Sequence, residues 1–295
     1  MSTAYGIAPK GYRLPEATHI GRVTLQVADL ARSLVHYERV LGFRAPERSA
    51  GRAMLGAQSG DQPLIELRER PGATPVPRRG RLGLYHYAIL LPSRAHLGRL
   101  LRHLAEQGER AGMSDHLVSE ALYLSDPDGL GIEVYADRPR DTWQRNGQQL
   151  AMATDPLDVD DLLQAGGAER WSGMPAGTVI GHVHLYVGDL DQAASFYHDG
   201  LGLDKIVWSY PGALFLSAGG YHHHLGTNTW AKGAQPATDA DARLLEWEVL
   251  VPSPADASAA LSSLAKSGVA VDRAADGGTA RDPWGTPVRV RATQT

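Results

Sequence analysis

The 295-residue chain has no cysteine, which excludes disulfides, thiolate metal ligands and a cysteine nucleophile and agrees with a cytoplasmic protein without requiring one. It has only 3 phenylalanines, an argument against an aromatic-lined cleft of the drug-sequestering kind. Long apolar runs are missing too. No segment approaches the roughly 20 apolar residues that cross a bilayer, and the opening MSTAYGIAPKGYRLPEATH is expected to be neither signal peptide nor anchor. Nor is there a basic stripe. The 29 Lys and Arg are scattered among 33 Asp and Glu, which argues against a nucleic-acid partner. The remainder is an ordinary globular composition, 43% apolar and 21% charged, at a length that suits two domains of about 150 residues.

The chain repeats itself. IGRVTLQVADLARSLVHYERVLGF, from Ile20, resembles IGHVHLYVGDLDQAASFYHDGLGL, from Ile180. LYHYAILLPSRAHLGRLLRHLAEQG, from Leu84, resembles LEWEVLVPSPADASAALSSLAKSG, from Leu245. Arg22 and His182 are 160 positions apart, as are His86 and Glu246 and the glycine pairs Gly42/Gly202 and Gly108/Gly268. Each half closes near a turn, DPDG at Asp126 and DPWG at Asp282, 156 apart. Within each half two similar units follow one another, so the chain reads as four modules of roughly sixty residues.

Every module opens with an alternating strand, then a helix with a candidate N-cap (Asp29, Ser93, Asp189, Ser253) and a terminating glycine, then further strands. Leu97, Leu100, Leu101 and Leu104 fall on one helix face and should meet the sheet. The expected class is α+β, four βαβββ modules forming two curved-sheet barrels, because one curved sheet cannot bury its concave face alone. The expected division is an N-terminal arm (1–18), a first domain of modules one and two (19–140), a linker (141–178) with a short helix in LDVDDLLQAG, and a second domain of modules three and four (179–295).

These modules, with openings such as HVHLYVGDL, resemble the vicinal oxygen chelate superfamily of glyoxalases, bleomycin-resistance proteins and extradiol dioxygenases. LYHYAILLPSR, DHLVSEALYLSDPDGLGIEVYADRPRDTW and GYHHHLGTNTW are most similar to the Bacillus-type catechol 2,3-dioxygenase group, and the similarity covers nearly the whole chain. The resemblance implies a metal in the cup of two paired modules, held from the first strand of one and the first and last strands of the other. The matching positions are Arg22, His86, His182 and Glu246 on first strands, with Glu133 and Arg289 on last strands. Pairing modules one with two, or three with four, puts an arginine among the ligands, and arginine has no lone pair to give. Pairing two with three collects His86, Glu133 and His182, a two-His-one-carboxylate set suited to Fe(II), with Mn(II) the alternative. Pairing one with four leaves Arg22, Glu246 and Arg289 as an expected buried ion cluster. The common ring-cleaving enzymes pair one with two and three with four, so this arrangement departs from their pattern and matches related hydroquinone-cleaving enzymes.

The triplet His222, His223 and His224 is expected in the last strand of module three, where alternation would send His222 and His224 to one face and His223 to the other. Extradiol dioxygenases carry an HH-x-L stretch there, whose second histidine is an acid–base catalyst. The match assigns His223 that role and leaves His222 or His224 as alternatives if the register shifts. His184, Tyr135 and His116 are candidates for holding a substrate. Trp208, Trp230 and Trp247 are expected in the core, and the Asp-Pro turns as turns, not calcium loops. The function implied by the resemblance is metal-dependent ring cleavage of a catechol or hydroquinone, a small aromatic diol, with O₂. A glyoxalase-type metal isomerase or lyase and a metal-free small-molecule-binding protein of the resistance type remain alternatives. A homodimer is a reasonable assembly; the diphenol, the choice of Fe or Mn and the oligomeric state are not legible.

Overall fold

A computed structural model describes residues 5–60, 62–77 and 80–293. Module one comprises β1 (His19–Val27), α1 (Leu30–Val35) running into a π-helical turn, β2 (Arg44–Ser49), β3 (Arg52–Gly56) and β4 (Ile65–Glu69). Module two has β5 (Gly83–Leu90), α2 (Arg94–Glu106), β6 (Gly112–Asp115), β7 (Ser119–Ser125) and β8 (Gly131–Asp137). The connecting segment forms a small hairpin, β9 (Arg145–Asn146) with β10 (Gln149–Leu150), and the short helix α3 (Val159–Gly166). Module three has β11 (Val179–Tyr186), α4 (Leu190–Ala194) with its own π turn, β12 (Asp204–Val207), β13 (Ala213–Ser217) and β14 (Leu225–Asn228). Module four has β15 (Arg243–Val251), α5 (Pro254–Lys266), β16 (Val271–Ala274), β17 (Gly277–Arg281) and β18 (Pro287–Ala292).

Local chemistry sets these boundaries. Asp29, Asp189 and Ser253 are N-caps whose side chains accept the N–H three residues on. Ser93 holds the same position, with its hydroxyl 2.8 Å from His96 Nδ1 instead. Gly108 and Gly268 stop α2 and α5 with φ of 72° and 83°, a conformation that disfavours any side chain.

Two eight-stranded sheets result. One runs β16-β17-β18-β15-β1-β4-β3-β2 and the other β12-β13-β14-β11-β5-β8-β7-β6. The first therefore joins modules four and one through antiparallel β15 and β1, the second joins three and two through antiparallel β11 and β5. Each half of the chain gives one module to each sheet. Alternation sorts the faces. Tyr87, Ile89, Ile132, Val134, Val183 and Leu185 enter one core continuous across both sheets, while His86, Glu133, His182 and His184 point the other way, into the concavity. Leu97, Leu100, Leu101 and Leu104 of α2 are buried in that core, each such side chain contributing about 1.5–3 kcal/mol. Tyr87 of module two and Tyr37 of module one meet through their hydroxyls at 3.1 Å. Helix α3 lies close against α2: a Cβ on Gly98 would stand 2.2 Å from the carbonyl oxygen of Leu162.

Candidate metal centre

Three side chains converge in the concavity of the second sheet. His86 Nε2 lies 3.0 Å from Glu133 Oε2, and His182 Nε2 lies 3.3 Å from the same oxygen. One donor atom from each of the three falls within 4.8 Å of the others, and all three residues are buried. Among the described residues no other group of three His, Cys, Asp or Glu side chains meets this condition. Adjacent antiparallel strands β5 and β11 bring the imidazoles together, and β8, parallel to β5, places Glu133 opposite Ala88. A register shift between Ile180 and His182 coincides with Gly181, where a Cβ would stand 1.8 Å from the Tyr135 hydroxyl. Only a residue without a side chain lets Tyr135 pass there and pack 4.9 Å from the His182 ring.

The donor set fits a divalent cation. Burial pushes the Glu133 carboxyl up, but His182 and His86 beside it outweigh that and hold it well below the usual carboxylate range. Burial lowers His182 to about 4 against the pull of Glu133, so its ring is neutral at neutral pH with a lone pair to give. His86 Nε2 is buried and has no hydrogen bond of proper geometry, although the carboxylate stands beside it. An orphaned ring nitrogen, a neutral imidazole and a buried carboxylate facing one point are what two-His-one-carboxylate coordination needs.

The histidine triplet lies elsewhere than its sequence pattern suggests. It occupies the turn before β14 rather than the strand, so period-two alternation does not apply, and His222 and His223 are not on opposite faces. Instead their Nδ1 atoms are 2.7 Å apart. His223 faces the cavity with its ring 4.0 Å from that of His182. Burial, then the neighbouring His182 and His222, push its pKa well below the ordinary value, leaving a neutral base. His222 is fully buried behind it, 2.9 Å from Asp137. His224 turns away: its Nδ1 accepts from the Ala218 N–H and lies 2.9 Å from the Ser217 hydroxyl.

A cavity of about 400 Å³ opens onto His86 and Glu133 and is lined also by His184, His116, His223, Tyr85, Tyr123, Tyr210, Phe215 and Trp230. His184 packs onto Gly226, where a Cβ would lie 2.8 Å from its ring. The Asn228 amide donates to His184 Nε2 at 3.0 Å, and the Asn228 carbonyl is fixed by the Trp230 N–H. His116 donates through Nδ1 to the Ala153 carbonyl at 2.6 Å and accepts through Nε2 from Tyr123 at 2.5 Å. Tyr135 does not line the cavity. It lies beneath His182, with its hydroxyl 2.6 Å from that of Tyr221. The linker supplies Met152, Ala153 and Thr154 as a strap over the opening, and the Thr154 hydroxyl reaches that of Tyr210 at 2.8 Å.

Two expectations about aromatics fail. Trp247 is core and Trp208 packs against the core, but Trp230 is half exposed and forms part of the cavity rim. Scarcity of phenylalanine did not preclude an aromatic cleft, because tyrosine and tryptophan line it. Tyr85 and Tyr123 lie within the stretches that carry the family resemblance but were not among the candidate site residues. Their one signal was placement: Tyr85 adjoins His86, and Tyr123 sits across the ladder from Glu133. The ion cluster of the first sheet is also centred elsewhere. Glu66 is fully buried among Arg22, Arg52 and Arg68, and Glu248 pairs with Arg22 and Arg291. Glu246 meets Thr279, and Arg289 pairs with Asp276. Two residues along the same face of β15 decide this, because the side chain of Glu248 rather than Glu246 pairs with Arg22 and Arg291. The two Asp-Pro segments are turns, with Asp126 and Asp282 accepting backbone N–H groups of their own loops.

Comparison with known proteins adds three findings. The family model described as glyoxalase/bleomycin resistance protein/dioxygenase superfamily matches residues 19–134 and 179–290. A catechol-2,3-dioxygenase of Bacillus subtilis (strain 168) is 44% identical over 272 residues, covering 91% of this chain and 95% of the relative. Among solved structures, a protein of Bacillus subtilis subsp. subtilis str. 168 aligns with a TM-score of 0.66 at 14% identity, over 96% of this chain and 87% of its own. Glyoxalase I from Zea mays aligns at 0.55 and 17% identity, over 94% and 92%. These two likenesses are of fold.

Proposed function

The chain belongs to the glyoxalase/bleomycin resistance protein/dioxygenase superfamily, and from that premise we propose that it is a metal-dependent extradiol-type dioxygenase that opens the ring of a catechol or hydroquinone with O₂. The observation that carries this reading is the convergence of His86, Glu133 and His182 at the end of an aromatic-lined cavity, with His223 beside them. The 44% identity to a catechol-2,3-dioxygenase supports the same reaction class.

In this reading His86, His182 and Glu133 hold Fe(II), with Mn(II) the alternative. When bound, the ion supplies Lewis acidity and an electron path between the diol and O₂. The protein does the rest. Tyr85, Phe215 and Trp230 offer flat apolar surface to an aromatic ring. His223, neutral and facing the cavity, takes a proton from a substrate hydroxyl and returns one as the ring opens. His184 and His116, with their hydrogen bonds already committed to Asn228, Ala153 and Tyr123, shape the polar wall. The strap at Met152–Thr154 narrows water access. Both homologous halves are required, since His86 and Glu133 come from 19–140 and His182 and His223 from 179–295.

The test is anaerobic loading with Fe(II) of protein made without a histidine tag, followed by oxygen uptake with catechol and methylhydroquinone. Uptake in stoichiometry with the diphenol is expected. Absence of uptake across a panel of diphenols, with iron bound, counts against the reaction class.

A further inference from the structure

Behind His223 lies a row of hydrogen bonds that all point one way. Asp137, at the end of β8, accepts at a single carboxylate oxygen from two sides: His222 Nε2 at 2.9 Å and the Tyr221 hydroxyl at 3.2 Å. Because Tyr221 spends its only proton on Asp137, Tyr135 must donate to Tyr221 across their 2.6 Å contact. The same reasoning runs through the histidines. A carboxylate only accepts, so His222 carries its proton on Nε2. With that single ring proton on Nε2, its Nδ1 is bare. That atom is 2.7 Å from His223 Nδ1, so the proton between them belongs to His223. His223 is left with an unprotonated Nε2.

We infer that Asp137 and His222 are positioning residues that fix the tautomer and orientation of His223, so that its Nε2 faces the cavity as a ready proton acceptor. The inference deepens the dioxygenase reading and rests on it for the kinetic consequence, though the tautomer itself does not. Burial strengthens the case. His222 is fully enclosed by Tyr221, Trp143 and Tyr135, with ring centroids at 4.1, 5.4 and 5.9 Å, so no water competes for its nitrogens. The Asp137 side chain, a quarter exposed, sits where this row reaches solvent. By analogy with the outer partners of metal-ligating histidines, its removal is expected to lower activity about 10–100-fold.

Two measurements decide. Long-range ¹H–¹⁵N correlation of the histidine rings in the full-length chain, with and without Zn(II), reads the tautomers directly. Protonated Nδ1 on His223 and protonated Nε2 on His222 are expected; a proton on His223 Nε2 overturns the inference whatever the activity. In Asp137→Ala the fixed tautomer should be lost, with kcat for diphenol-dependent oxygen uptake lowered about 10–100-fold, KM little changed, and part of the loss restored by added formate. A loss confined to KM, or one that formate does not touch in a variant with native circular dichroism, contradicts the positioning role. If the wild-type chain shows the expected tautomers but consumes no oxygen with any diphenol, the reaction class fails while the hydrogen-bonded row stands.

Discussion

The two concavities of this molecule are built on one plan and solve the same electrostatic problem in opposite ways. Ladder register makes the correspondence residue by residue. In the sheet of modules two and three, His184 stands opposite His86 and Gly226, and Glu133 stands opposite Ala88. In the sheet of modules one and four, Thr24 stands opposite Glu246 and Glu66, and Arg289 stands opposite Glu248. Hence His86, Glu133, His182 and Gly226 in one cup correspond to Glu246, Arg289, Arg22 and Glu66 in the other. Each cup buries carboxylate. One surrounds it with guanidiniums, which carry a permanent charge and have no lone pair. The other gives it only imidazoles, which leave electron pairs for an incoming cation. A buried carboxylate supplied with internal cations needs no ion; one supplied with neutral imidazoles has the donor set to hold one.

The sharpest test of this contrast is metal content. Elemental analysis of the untagged protein should give about one ion per chain. Glu133→Ala or His182→Ala should bring that to near zero, whereas Glu66→Gln or Arg22→Ala should leave it unchanged. Metal lost from both sets of variants, or from neither, would erase the distinction between the cups. A smaller effect concerns the fourth corner, where one cup has Gly226 and the other Glu66. Gly226→Ala puts a methyl group 2.8 Å from the His184 ring and should cost about 1–3 kcal/mol by urea denaturation. Loss of the Glu66 charge should cost about 1–2 kcal/mol. Its carboxylate is fully buried, but two of its three arginines are half exposed and can fall back on water.

A third contrast separates the two Asp-Pro turns. Burial and the neighbouring Asp128 raise Asp126 to about 7, whereas Asp282 faces Trp284 at the equivalent place and is raised by burial without a second carboxylate. A folded-state pKa above the unfolded one means the folded chain holds the proton more tightly. This contribution to stability is complete below about pH 4 and is lost as pH rises toward 7, at no more than about 1.4 kcal/mol per pH unit. Thermal melts of Asp126→Asn between pH 5 and 7 should therefore be flatter than wild type. An unchanged slope would remove Asp126 as the cause.

Much of this was legible in the chain. The repeat of 160 positions placed the modules, the N-caps and the terminating glycines, because each depends on residues next to one another. The candidate ligands were legible only through the family resemblance, which implies the strand positions that hold a metal; the repeat then located His86, Glu133 and His182 at them. The histidine triplet was misplaced because a three-residue polar run reads alike as strand or turn, and only the turn before β14 lets His222 and His223 touch through Nδ1. Tyr85 was overlooked and Trp230 assigned to the core because facing a cavity is a property of curvature and not of any local pattern.

Composition, alternation and spacing by themselves determined that four βαβββ modules form. Tertiary structure alone decided which nitrogen faces which oxygen, that Glu248 rather than Glu246 answers the arginines, and that the linker straps the opening. The reason is range: backbone periodicity acts over a few residues, whereas a hydrogen bond between Asp137 and His222 joins positions 85 apart and exists only once modules two and three have paired into one curved sheet.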